Sequence, residues 1–199
     1  MRQKPHRVSA FSLVEILVVM SIAVTLIALA SFGISKLLAS AQITQAGQMV
    51  MDTISLARQE AVRSNREVQL VFFKLPDGAG THWRAVQLWS VEETVDGPVV
   101  KVISKLQNLP NGVIISEDSK LSPLLTADPT IMGSRDAGDY KNAAYKGFRI
   151  RPGGSLDKAV TPDTNFITLQ RVTETGPKPV NYFTVQINPI TGGLRSYRP

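Results

Sequence analysis

Between Ile16 and Ser35 the chain runs for 20 residues without a charge, ILVVMSIAVTLIALASFGIS. As a helix, such a run rises ~1.5 Å per residue and reaches about 30 Å, the hydrocarbon thickness of a bilayer. A membrane-spanning helix is therefore expected. Arg2, Lys4 and Arg7 precede it, and basic residues on that flank keep the N-terminus cytoplasmic and send the rest of the chain across. A secretory signal peptide has a shorter apolar core followed by small residues. Ala39-Ser40-Ala41 supplies the small residues, but the run is too long.

Glu15 stands at the entrance to this run. A carboxylate in a membrane helix costs on the order of 2–3 kcal/mol on insertion scales, which makes it a functional candidate. By position alone, it is equally a solvated group at the interface.

Its surroundings are Ala10-Phe11-Ser12-Leu13-Val14-Glu15, after a short basic leader and before the apolar run. This resembles the class III signal of type IV pilins and type II secretion pseudopilins. The resemblance implies that a prepilin peptidase/methyltransferase cuts between Ala10 and Phe11 and then N-methylates Phe11. It implies that Glu15 is the assembly carboxylate. It also implies other pilin-like subunits and an assembly-platform membrane protein as partners. The chain would sit in the bacterial cytoplasmic membrane, its globular part periplasmic, until it joins a filament. The family usually has Gly before the cut, and Ala10 there implies slower processing. Physically, a Glu moved from headgroups into a bundle of apolar helices needs a partner. The cleaved amine of a neighbouring subunit would supply one.

No proline occurs between Pro5 and Pro76, so a helix can run unbroken from about Phe11 to Ser64. Past Lys36 it becomes amphipathic: Ile43, Gly47, Val50, Ile54, Ala57 and Ala61 recur at intervals of three and four, flanked by Gln45, Gln48, Asp52, Gln59 and Arg63. Asn65 is the expected stop, since Asn tolerates the left-handed cap. From Glu67 the period shortens to two. Strands are expected at 68–74, 84–91, 99–106, 113–116, 147–151, 166–172, 182–188 and 194–197. Phe183, Val185 and Ile187 should face one side, with a turn over Asn188–Gly193.

The expected fold is α+β, a long N-terminal helix on a small antiparallel β-sheet domain with one core. Its parts are a leader (1–10), a transmembrane and assembly helix (11–36), an amphipathic continuation (37–66) and a β-rich domain (67–199). Leu56–Leu70, Phe148–Gly154 and Val185–Leu194 resemble the pseudopilin H and fimbrial T group, within which the pilin-like cassette protein D set of Verrucomicrobia is a candidate. The stretch 116–146 reads as a long irregular loop, with Ile131 and Met132 available to a neighbouring subunit or tucked onto the domain.

Charge is uneven: +3 in the leader, +1 over 11–66, −4 over 67–140 and +6 over 141–199. The acidic middle and basic end could pair subunits head to tail. The basic residues Arg149, Arg151, Arg171, Lys178, Arg195 and Arg198 could instead form an anion-binding face, and DNA is the partner that some fimbrial T-like minor pilins suggest.

Catalysis finds little support. With no Cys, thiol nucleophiles and thiolate metal sites are excluded, and any His-based triad or multi-His site would have to use His6 or His82. His82 beside Trp83 reads as structural, Asp77–Gly80 as a hairpin rather than a phosphate cradle, and Glu92-Glu93 as a turn. Glu117, Asp118, Asp136 and Asp139 lack calcium-loop spacing. No enzyme and no cofactor are expected. The reading is a structural, filament-forming pilin-like subunit. Its rivals are a DNA-capturing minor pilin and a single-span anchor that keeps its leader.

Overall fold

The computed structural model describes residues 12–78, 80–127, 131–158 and 164–199, without the side chains of 29–37. The chain divides into two compact units, residues 1–39 and 40–199. Helix α1 (Leu13–Ser64) begins in the first and ends in the second. Ser12 caps its start: its carbonyl accepts from Glu15 and Ile16 N–H, and its hydroxyl accepts from Glu15 N–H at 3.3 Å. Asn65 ends it at φ 51°, and Arg66 N–H closes back on the Ala61 carbonyl at 3.3 Å. That six-to-one bond over a left-handed residue is a Schellman stop.

In the second unit, α1 buries Ile43, Ala46, Gly47, Val50, Ile54, Ala57 and Ala61, while Gln45, Gln48, Asp52, Gln59 and Arg63 are exposed. The stripe packs on two antiparallel sheets. The larger contains β1 (Val68–Asp77), β2 (Gly80–Thr94), β3 (Gly97–Val102), β4 (Gln107–Asn108), β6 (Ile131–Ala137) and β7 (Tyr140–Ile150). Its order is β3-β2-β1-β7-β6, with β4 also on β2. The smaller has the order β10-β9-β8-β5, from β5 (Val113–Ile115), β8 (Phe166–Arg171), β9 (Tyr182–Ile187) and β10 (Leu194–Tyr197). A single turn, α2 (Pro123–Thr126), adds Leu124 and Leu125 to the core. Phe72, Leu88 and Phe148 from the large sheet meet Leu169, Phe183 and Val185 from the small one in the same cluster as the helix stripe.

The structure differs from the sequence reading in four places. There is a second core. β1 is buried on both faces: Leu70 and Phe72 point to the helix side, and Val71, Phe73 and Leu75 join Ala85 and Trp89 on the other. There Phe73, Trp89 and Tyr145 stack edge to face, with centroids 5.0–5.9 Å apart.

The 116–146 stretch is not an irregular loop. Its described residues contain α2, β6 and the start of β7, which runs on to Ile150 and pairs with β1 over Val68–Phe73. Ile131 tucks against the second core, whereas Met132 is exposed.

The strand expected over 99–106 breaks after Val102, because Ile103 and Ser104 N–H both donate to the Leu88 carbonyl. Glu92-Glu93 lies within β2 rather than in a turn, with Glu92 bound to Arg66 at 3.0 Å.

Candidate functional site

Ala10 and Phe11 lie outside the described residues. Glu15 occupies the first turn of α1, its backbone held by Ser12. Its side chain borders a shallow recess of about 260 Å³ with Ile16, Val19 and Met20. The large apolar residues from Leu13 to Ile27 are each 48–81% exposed. They occupy nearly consecutive positions, so at 100° per residue they cover every side of the helix. A helix apolar all round is stable only when something apolar surrounds it, lipid or other helices. Among the described residues no helix is long and apolar enough to cross a membrane. The run 16–35 passes through 29–37, whose side chains are not described. Sequence reasoning missed Ser12, although Ser12-x-x-Glu15 has the spacing of a capping box.

The six basic residues of the C-terminal region do not form one face. Arg149 faces Glu67 at 3.6 Å and Arg151 binds Asp157 at 2.6 Å, so both are neutralised on or beside the large sheet. Arg195 lies opposite Gln186 on β10, away from the side that Phe183, Val185 and Ile187 turn to the core. Arg171 shares the parity of Ile167 and Leu169 and reaches Gln42 of α1. Arg198 reaches Ser40 of α1, and Lys178 lies in the β8–β9 loop.

Several other titratable residues are engaged in local contacts. His82 Nδ1 stands 3.7 Å from Glu117 Oε1, and Glu117 Oε2 accepts from Lys74 at 2.9 Å. Lys74 and Lys146 both lie over the Trp83 ring, 5.8 and 5.6 Å from its centroid. Asp77 pairs with Arg84, and the Asp118 carboxylate caps Lys120 N–H. Asp136 accepts from Lys141 Nζ at 2.8 Å and from Asn142 N–H at 3.0 Å. The Lys141 hydrogen bond, reinforced by Asn142 N–H, holds the Asp136 carboxyl below its usual range, and Lys141 is raised in return. A groove of about 590 Å³ at the end of α1 is lined by Arg66, Glu67, Glu93 and Arg149, among others. Two of its charges, Glu67 and Arg149, face each other. Among the described residues these contacts supply packing and fixed charge pairs.

Two solved structures of the minor pseudopilin EpsH from the Type 2 Secretion System of Vibrio cholerae are similar to this chain at 14% identity, each with a TM-score of 0.42. One covers 79% of this chain and 98% of that one, the other 80% and 96%. No protein-family model and no curated protein matches the sequence.

Proposed function

We propose that this chain is a pilin-like structural subunit of a type IV pilus or type II secretion filament, with no catalysis of its own. Residues 16–35 hold it in the bacterial cytoplasmic membrane with the 40–199 unit on the periplasmic side. A prepilin peptidase cuts between Ala10 and Phe11 and methylates the Phe11 amine. Other pilin-like subunits then take up the helix, helped by an assembly-platform protein.

One observation carries this reading. A single helix, α1, opens at Leu13 with Ser12 capping it and Glu15 in its first turn, and its N-terminal part is apolar on every side through Ile27. From Ile43 to Ala61 it is built into the core of the β-rich unit. A membrane anchor alone needs no carboxylate in its first turn, where burial is costly without a partner.

The test is intact mass and N-terminal sequencing of the protein produced with its own prepilin peptidase. A chain starting at N-methylated Phe11 is expected. A chain still starting at Met1 would leave an anchored domain and remove the assembly reading. A start near Gln42 would mean ordinary secretion.

A further inference from the structure

Three of the six basic residues gather at one end of the small sheet. Arg198 Nη2 donates to Ser40 Oγ at 3.0 Å, and Arg171 Nη1 donates to Gln42 Oε1 at 3.3 Å. Two positions along a helix turn it by about 200°, so the two guanidiniums approach α1 from nearly opposite sides. Lys178 sits in the loop between Arg171 and Tyr182, and Tyr182 pairs with Gln170, which places the loop at the same end. Among the described residues, none of the three has a carboxylate partner, in contrast to Arg149 and Arg151. Glu174, the carboxylate of that loop, is engaged by Asn181 N–H.

We propose that Arg171, Lys178 and Arg198 form a contact for anionic phospholipid headgroups. This rests on the reading of residues 16–35 as a membrane segment. Ser40 follows Ser35 by five residues, which is about 7.5 Å as helix and no more than about 18 Å fully extended. The headgroup layer adds roughly 5–7 Å beyond the hydrocarbon, and the potential of anionic lipid persists for about another 10 Å. Guanidiniums bonded to Ser40 and Gln42 therefore lie within reach of lipid phosphates, which arginine can bind in bidentate fashion. The contact fixes the rotation of the 40–199 unit against the bilayer before assembly. DNA phosphates offer similar chemistry, but continuity with the apolar run favours lipid.

The test uses the full chain in phosphatidylcholine vesicles, with or without a quarter phosphatidylglycerol. It carries one fluorophore on Gly176→Cys, in a chain that has no other Cys and at a position with open space around it. Quenching by a headgroup spin-labelled lipid should be at least about twofold stronger in the anionic vesicles. High salt or the pair Arg171→Gln with Arg198→Gln should return it to the neutral level. Lys178→Glu, in an exposed loop, should weaken it without touching the core. Fluorescence of the buried Trp83 and Trp89 reports that each variant is folded. Equal quenching in both vesicles, or no response to Lys178→Glu and to the arginine pair, overturns the proposal. Displacement of the headgroup contact by a short DNA duplex reassigns the face to nucleic acid. A chain that floats with neither vesicle overturns the membrane reading itself, and this inference with it.

Discussion

Gly47 of α1 faces the ring of Phe183 on β9 so closely that a Cβ at position 47 would overlap the ring carbons. The Phe183 ring is seated there directly on the backbone of the helix. Gly47→Ala gains about 1 kcal/mol of helix propensity, but overpacking costs about 1–3 kcal/mol. Phe183 is 2% exposed and cannot swing into solvent. A net loss of up to about 2 kcal/mol is expected, seen as a lower melting temperature of the full chain in detergent. Adding Phe183→Leu should make the Ala substitution cheaper than it is alone. A Gly47→Ala chain that melts higher would show that helix and sheet separate freely.

Asn65 holds φ at 51° to end α1. A left-handed conformation costs most L residues about 1–2 kcal/mol, and Asn and Gly escape most of it. Asn65→Gly should therefore melt within a few degrees of the parent, and Asn65→Val well below it. If Val were tolerated, the helix would be ending by some means other than this cap.

The Asp136–Lys141 pair makes a pH prediction of fixed sign. The Asp136 carboxyl is lowered from 3.8, so its contribution to the β6–β7 hairpin is present above that value and lost as pH falls through the depressed one. Lys141 is raised from 10.5, so its contribution is complete below that value and lost as pH rises through the elevated one. Carboxyl NMR of Asp136 should show a titration below the usual aspartate range, and Lys141→Met should bring it back towards that range. The pair is exposed, so global melting should barely change.

Local chemistry was legible in the sequence; long-range pairing was not. The helix stripe and its Asn65 stop follow from period and cap chemistry. The second core was overlooked although its signal was present: Leu70-Val-Phe-Phe73 is too continuously apolar for a one-faced strand, and β1 is buried on both sides. The β6–β7 hairpin was harder. Ile131–Ala137 includes Gly133, Ser134, Arg135 and Asp136, which read as loop, yet β7 is held by the backbone of β1 and a Cβ at Gly133 would crowd Tyr145. The charge pairs Arg66–Glu92 and Arg149–Glu67 join residues far apart in sequence. Whether the scattered basic residues of the C-terminal third share a face is decided by the sheets, which set Arg149 and Arg151 against carboxylates. The helix start at Glu15 was legible from its motif, and the Ser12 cap three residues before it was overlooked.

Glu15 offers the most decisive variant. In the proposed filament its carboxylate leaves the headgroup region and meets the Phe11 amine of a neighbouring subunit. Removing one member of a buried pair costs roughly 3–5 kcal/mol, because the other charge is left without a partner. Glu15→Ala should leave insertion and cleavage at Phe11 intact and lower the yield of sheared filaments by well over tenfold. Glu15→Gln should fail as badly, since an amide of the same shape carries no charge to pair. Glu15→Asp, charged but shorter, should assemble partially. The N-terminal cap gives a control: Ser12 holds Glu15 through the backbone N–H, so the local helix survives all three substitutions and circular dichroism should match the parent. If Glu15→Gln filaments form at parental yield, shape rather than charge sets the stagger, and the pairing account of assembly falls.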